Sequence, residues 1–127
     1  MNECEIHQEL IRGISEQQKT ILDSSGQGMY IYLDDSHVIF NQQFATLLGY
    51  GSPREMEMLN EPFLSAFVAE KSHSILVNAY QKAMNKMEGS TFEVSWKKKV
   101  GGEVKATVIL TPIMYDNHLF AIHYIFA

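Results

Sequence analysis

The chain has 127 residues, of which 46% are hydrophobic and 20% are charged, with a net charge of −5 and a single cysteine, Cys4. This length and composition indicate one globular domain with one core, and the lone cysteine excludes an internal disulfide. The acidic balance argues against nucleic acid as a partner, and no apolar run approaches the ~20 residues that span a membrane, so we expect a cytoplasmic protein.

Residues 1–22 carry apolar side chains at steps of three and four, which is the period of an amphipathic helix. Gly13 and Gln17 interrupt this stripe, so the helix is marginal alone and needs a surface to pack on. A polar breaker follows and separates the helix from a second unit, residues 23–127. The apolar stripe consists of Ile6, Leu10, Ile14 and Ile21.

Residues 28–50 predict two strands followed by a helix. The first strand alternates in polarity, an acidic turn at 34–36 interrupts it, and a second apolar strand follows. Asn41 is placed to cap the backbone amide of Phe44 at the start of the helix. Gly49 can adopt the left-handed conformation that ends a helix.

Three further helices are predicted after this segment. Ser52–Glu55 has serine at the cap, proline at the first helical position and glutamate at the third, which is a capping box. A short piece spans about 61–68. The longest helix covers about 71–87, with Gly89 as its stop signal.

Three strands finish the chain, at 92–96, 103–115 and 119–126. Gly101-Gly102 marks a tight turn between the first two. Neighbouring strands joined by short turns pair most readily in antiparallel fashion. We therefore predict an α+β fold with one five-stranded antiparallel sheet and helices on one face.

The last strand is apolar on both faces, which predicts that both faces are covered. We expect Phe120, Ile122 and the aromatic residues that follow to face the helices of the same domain. The N-terminal helix is then predicted to cover the other face, in an interface between two copies of the chain. The residues predicted for this homodimer interface are Ile6, Leu10, Ile14, Ile21, Leu119, Ala121, His123 and Ile125.

Residues 20–127 resemble the PAS family, the sensory module of many bacterial and archaeal signalling proteins. The motif is Asn41, Phe44, Leu47, Leu48, Gly49 and Tyr50, preceded by the entry segment 21–29 and followed by the long helix and the glycine turn. The resemblance implies a five-stranded antiparallel sheet in the order 2-1-5-4-3 and a pocket between the sheet and the helices.

Large apolar side chains are expected around this pocket. Either they fill the space completely, or they leave room for a small apolar or amphipathic ligand that a few polar tips orient. The candidate pocket residues are Val77, Tyr80, Met84, Phe92, Val94, Trp96, Val108, Leu110, Ile122 and Tyr124.

The sequence lacks the ligand residues of the haem and flavin sites known in the resembled family. It does not identify another cofactor. His73 lies too far before Gly89 to match the haem ligand of PAS sensors, so we expect it at the surface. The flavin photosensors need a cysteine in the domain core, whereas Cys4 lies outside it. We expect no metal site, because His7 and His37 lie in separate elements and His118 and His123 point to opposite faces of one strand.

The sequence therefore predicts a sensory module that binds a small ligand or a partner and relays the change through a dimer interface. The alternative is a ligand-free PAS scaffold for dimerisation or docking. The sequence contains neither a nucleophile motif with a paired base nor a dinucleotide-binding loop, so we do not expect an enzyme. An output kinase, cyclase or regulator is not part of the 127 residues, which would be either a sensor excised from a longer protein or a free-standing module.

Overall fold

The computed structural model describes residues 2–127, which form a five-stranded antiparallel sheet in the order β2-β1-β5-β4-β3. The strands are β1 Gly28–Asp34, β2 His37–Phe40, β3 Ser90–Lys97, β4 Glu103–Tyr115 and β5 His118–Phe126. The helices are α1 Glu3–Gln17, α2 Lys19–Ser24, α3 Gln42–Leu48, α4 Pro53–Glu57, α5 Phe63–Phe67 and α6 His73–Lys86, with a 3-10 turn at Glu70–Ser72. The predicted fold class and strand order are confirmed. None of the helices in residues 2–127 is both long enough and apolar enough to cross a membrane.

Asn41 connects three elements near the N-terminal end of the domain. Its side-chain oxygen accepts from the backbone N–H of Phe44 at 3.0 Å, the predicted cap, and also from that of Met29 at 2.9 Å. Its side-chain amide donates to the carbonyls of Leu22 and Gln27. This buried residue therefore fixes the end of α2, the start of β1 and the start of α3 relative to one another.

The capping box of α4 forms with one difference from the standard pattern. Ser52 accepts from the backbone N–H of Glu55, as predicted. The Glu55 carboxylate reaches back to the backbone N–H of Gly51 rather than to that of Ser52. The same carboxylate pairs with Lys99 in the β3–β4 connection, so the box also holds that connection against α4.

Two features of the helices differ from the prediction. The N-terminal helix is not continuous to residue 22, because it breaks at Gln18 between α1 and α2. The long helix ends at Lys86, within one residue of the predicted end, but the residue that adopts the left-handed conformation after it is Met87, with φ 55°, and not Gly89. Gly89 is needed for another reason: a Cβ there would lie 3.0 Å from the carbonyl oxygen of Leu110 on β4.

Both faces of β5 are covered, but the prediction of which elements cover them is wrong. Ile122 packs with Leu10 and Ile14 of α1, and Tyr124 lies against the same cluster. His123 lies on the opposite face, because it pairs directly with Tyr30 of β1. Leu119, Ala121 and Ile125 share that inner face with His123, where Ala121 and Ile125 pack in clusters with residues of α3–α6. Alternation separates the two sets, but only the register with β1 decides which set faces which helices.

The junction between α5 and α6 pairs with the edge strand β3. Val68 forms a bridge with Trp96, and the backbone N–H of Ala69 donates to the carbonyl of Ser95 at 2.9 Å. Ser72 accepts from the backbone N–H of Ser95 at 2.9 Å. These contacts protect the sheet edge and fix the start of α6 over the inner face.

Candidate functional site

A cavity of about 340 Å³ lies between the inner face of the sheet and helices α5 and α6. The central strands β1 and β5 form its floor, and the two helices form its walls. The residues that line it are Tyr30, Tyr32, Asp35, Pro62, Phe63, Leu64, Ser65, His73, Leu76, Val77, Tyr80 and His123. Its volume exceeds that of an ordinary packing defect and is in the range of small-molecule sites.

The structure brings only part of the predicted pocket set to this cavity. Val77 and Tyr80 line it. The side chains of Val94, Trp96 and Val108 are completely buried in the main core beside it. The remaining predicted residues lie elsewhere: Met84, Phe92 and Leu110 pack around Ala83 at the other end of α6, and Ile122 and Tyr124 lie on the outer face, where the prediction was wrong.

Tyr30 and His123 form the floor of the cavity. Neither of them was predicted from the sequence to be a pocket residue. Their rings stack with centroids 3.9 Å apart and planes inclined by 11°. Both side chains are almost completely buried. Within residues 2–127, neither the Tyr30 hydroxyl nor Nδ1 of His123 has a hydrogen-bond partner. The signal for Tyr30 was present, because Tyr30 and Tyr32 alternate with the apolar side chains that face α1.

Burial keeps both of these polar groups uncharged at neutral pH. It lowers the pKa of His123 to about 3 from an ordinary value of 6.5, against weaker hydrogen bonding with the backbone of Ala121 and Tyr30. Burial also raises the pKa of the Tyr30 hydroxyl well above its ordinary value. The floor therefore offers a neutral imidazole and a neutral phenol, which bind a ligand through hydrogen bonds rather than through charge.

Polar groups also surround the cavity near the β1–β2 turn. The hydroxyl of Tyr32 donates to the Asp35 carboxylate at 2.6 Å, and the Tyr80 ring packs edge-on against that of Tyr32. The pKa of Tyr80 is raised, first by burial and then by the nearby carboxylates of Asp34 and Asp35. This side of the cavity carries negative charge, which disfavours an anionic ligand.

His73 begins α6, as predicted, but it is only partly exposed and lines the cavity wall. It is half-buried, and its Nε2 donates to the carbonyl of Val68 at 2.8 Å. The bond forms because Val68 and Ala69, which follow α5, pair with β3 and so place the carbonyl of Val68 near the first residue of α6. His73 thereby links the edge of the sheet to the first turn of α6.

A second group of titratable side chains lies where α1 meets the β1–β2 turn. His7 and His37 lie in separate elements, as expected from the sequence, but the fold brings their side chains together at Asp34. Nδ1 of His7 and Nδ1 of His37 donate to the two oxygens of Asp34 at 2.6 and 2.7 Å. Burial acts to raise the pKa of Asp34, but the hydrogen bonds from the two histidines hold it below its ordinary value. We call His7, Asp34 and His37 the histidine cluster.

The residues predicted for a dimer interface have different positions in the chain. Leu10 and Ile14 are buried against the outer face of the sheet of their own chain. Ala121, His123 and Ile125 are buried on the inner face, and Leu119 is half-buried. Ile6 and Ile21 stay exposed, by 36% and 48% of their surface.

Comparisons with known proteins find similarity at the level of the fold. No family model and no curated protein sequence matches this chain. Among solved structures, the PAS domain of an HTR-like protein from Haloarcula marismortui has a TM-score of 0.64 and 17% identity, covering 95% of this chain and 97% of that one. A domain of a sensory box sensor histidine kinase/response regulator from Geobacter sulfurreducens has a TM-score of 0.65 and 13% identity, covering 90% and 94%. A PAS domain from a two-component sensor histidine kinase has a TM-score of 0.63 and 10% identity, covering 90% and 96%. The fold of this chain is therefore that of the PAS domains.

Proposed function

We propose that this chain is a sensory module whose cavity binds a small, neutral, amphipathic molecule. The observation that carries the proposal is that two residues lining the cavity each carry a buried polar atom without a hydrogen-bond partner among residues 2–127, the Tyr30 hydroxyl and Nδ1 of His123. Buried polar groups in proteins almost always have hydrogen-bond partners, and an unpaired one costs about 1–3 kcal/mol. A ligand that bonds to both atoms removes this cost on binding. The PAS domains of sensor kinases that share the fold support a sensory role.

The groups around the cavity limit the chemistry of the ligand. Nδ1 of His123 and the Tyr30 hydroxyl favour a hydroxyl group, which can donate a hydrogen bond to an imidazole and accept one from a phenol. The walls are mainly apolar, with Phe63, Leu76 and Val77 among them. Because the Asp35 carboxylate is also at the cavity, a neutral ligand is favoured over an anionic one.

Strand β5 supplies a direct physical route from the cavity to the N-terminal helix. His123 lines the cavity. The residue directly before it in the strand, Ile122, packs on the other face of the sheet against Leu10 and Ile14 of α1. A ligand that shifts His123 shifts the backbone shared with Ile122. Occupancy of the cavity would thus change the packing of α1, provided that the ligand binds one packing arrangement better than the other.

The proposal is tested with 2-naphthol and 2-naphthoate as matched probes. The first is a neutral aromatic hydroxyl compound, and the second carries a carboxylate on the same ring system. We expect titration calorimetry at pH 7 to detect 2-naphthol binding in a 1:1 ratio, with 2-naphthoate at least tenfold weaker. Equal affinity for the two probes, or no binding of 2-naphthol at its solubility limit, would contradict the proposal.

Variants of the cavity floor test which atoms hold the probe. His123→Phe and Tyr30→Phe keep an aromatic ring; the first removes both imidazole nitrogens, and the second removes the hydroxyl. Each is expected to weaken 2-naphthol binding about fivefold to tenfold, the equivalent of roughly 1 kcal/mol for a lost hydrogen bond. His118→Phe is the control, because His118 is exposed at the start of β5. This variant should bind 2-naphthol with the affinity of the wild type.

A dimerisation or docking scaffold is the second candidate function. The exposed side chains of Ile6 on α1 and Ile21 on α2 favour it, since Leu10 and Ile14 of the same stripe are already used within the chain. We expect the double variant Ile6→Glu, Ile21→Glu to be monomeric by light scattering under conditions in which the wild type is a dimer. A wild type that is monomeric at 100 µM would eliminate the homodimer version of this role.

A further inference from the structure

Three potential metal ligands converge in the histidine cluster from parts of the chain that are far apart in sequence. His7 lies on α1, Asp34 ends β1, and His37 begins β2. One ligand atom from each residue lies within 4.8 Å of those from the other two. Both imidazole Nδ1 atoms point at the same carboxylate, at 2.6 and 2.7 Å.

We propose that His7, Asp34 and His37 bind a divalent transition-metal ion such as Zn²⁺. Two imidazole nitrogens and one carboxylate form a ligand set that zinc, nickel and copper accept, whereas Ca²⁺ and Mg²⁺ prefer oxygen ligands. In the metal-free protein each Nδ1 carries the proton that it donates to Asp34. On binding, each imidazole holds its proton on Nε2 instead, so that Nδ1 offers its lone pair to the ion.

The surroundings of the cluster fit such a site. The side chains of His7 and His37 are 20% and 10% exposed and that of Asp34 is 37% exposed, so an ion can enter and water can complete its coordination. The backbone N–H of Ser36 donates to Asp34 at 2.9 Å and orients the carboxylate. The carboxylate of the exposed residue Glu3 lies 3.8 Å from Nε2 of His7, and a change of its side-chain rotamer would bring it close enough to accept the proton that Nε2 carries in the metal-bound form.

An ion at this position would join the N-terminal helix to the sheet. His7 is on α1, and the other two ligands are on the β1–β2 hairpin. Part of α1 is already held by the buried side chains of Leu10 and Ile14, one and two turns further along the helix. Metal binding would therefore stabilise chiefly the first turns of α1, which precede this contact. The site does not depend on occupancy of the cavity.

Calorimetric titration of the full chain with ZnCl₂ tests the site. We expect 1:1 binding, and a loss of at least tenfold in affinity in His7→Gln and in His37→Gln. His118→Gln removes an exposed histidine outside the cluster, and Cys4→Ser removes the only thiol, so both controls should bind like the wild type. MgCl₂ should give no binding heat. Unchanged zinc affinity in both cluster variants, loss of binding in Cys4→Ser, or the absence of zinc binding to the wild type would overturn the proposal.

A measurement on the unaltered protein removes any dependence on how the variants fold. With ¹⁵N-labelled histidine, zinc should shift the Nδ1 resonances of His7 and His37 and leave those of His118 and His123 unchanged. Hydrogen exchange of the amides in the first half of α1 should slow at the same time. Zinc-induced shifts confined to other histidines would overturn the proposal, as would unchanged exchange in α1 at saturating zinc.

Discussion

The imidazole of His123 lies flat against the phenol ring of Tyr30, with ring centroids 3.9 Å apart. The two residues are directly opposite each other on the paired strands β1 and β5, at the centre of the sheet. Both line the cavity, and each keeps a buried polar atom that has no hydrogen-bond partner within the described part of the chain. The stacked pair is therefore both a structural element of the core and the polar floor of the candidate site.

The first prediction concerns the pH dependence of stability. The pKa of His123 is about 3 in the folded chain against an ordinary value of 6.5, so between these values the unfolded chain binds a proton that the folded chain does not. The free energy of unfolding should therefore fall as the pH drops from 6.5 towards 3, by up to roughly 1 kcal/mol per pH unit from this residue. Urea unfolding at pH 7.5, 6.0, 5.0 and 4.5 measures it.

The contribution of His123 is isolated by comparing variants. In His123→Phe the free energy of unfolding should fall less steeply between pH 6.5 and 4.5 than in the wild type, by up to roughly 1 kcal/mol per pH unit. His118→Phe, which removes an exposed histidine, should keep the wild-type slope. Parallel stability curves for the wild type and His123→Phe would show that His123 titrates normally, contrary to this prediction.

The second prediction concerns Asn41 as a connecting residue. Asn41→Ala leaves the backbone N–H groups of Met29 and Phe44 and two carbonyls without their partner. We expect the free energy of unfolding to fall by about 3 kcal/mol, because several buried polar groups lose their hydrogen bonds together. The exposed helical residue Asn78 gives a matched control, and Asn78→Ala should change stability by less than about 0.5 kcal/mol. Similar losses in the two variants would be evidence against this role.

The third prediction compares two isoleucines of the same N-terminal stripe. Ile14 is completely buried against the outer face of the sheet, whereas Ile21 is 48% exposed. Ile14→Ala should lower the free energy of unfolding by about 3 kcal/mol, and Ile21→Ala by less than about 1 kcal/mol. Denaturant unfolding at low protein concentration gives both values. If the order were reversed, α1 would not lie on the sheet of its own chain as described.

The fourth prediction concerns the end of the long helix. Met87 adopts φ 55° and is 54% exposed, so its side chain gains little from packing while its backbone is strained. Met87→Gly should raise the free energy of unfolding by about 1 kcal/mol. Met58 also follows a helix and is exposed but has φ −81°, so Met58→Gly should be neutral or destabilising. Stabilisation by both glycines, or by neither, would contradict the assignment of strain to Met87.

The elements of the fold that depend on local chemistry could be predicted from the sequence. The cap at Asn41, the left-handed Gly49 and the capping box at Ser52 each follow from a few neighbouring residues. The end of α6 was predicted to within one residue, but the left-handed cap was assigned to Gly89 and not to Met87, because glycine is the usual residue in that conformation. Gly89 approaches the backbone of Leu110 closely, and this requirement for a small residue comes from the tertiary fold, which no local sequence pattern contains.

The candidate site could be predicted only in part, because it depends on strand register. Val77 and Tyr80, which line the cavity, were identified through the resemblance to the PAS family. His123 was assigned to the wrong face, since both faces of β5 are apolar and only the pairing with Tyr30 distinguishes them. The histidine cluster was missed because its members are separated by up to 30 positions and meet only when α1 folds across the hairpin.

The central claim is that the cavity above Tyr30 and His123 holds a neutral amphipathic molecule, and a crystal structure with saturating 2-naphthol tests it most directly. We predict the naphthol ring between α6 and the sheet, with its hydroxyl about 2.7–3.0 Å from Nδ1 of His123. A cavity filled by ordered water that bonds to both polar atoms, with no naphthol in it, would contradict the claim.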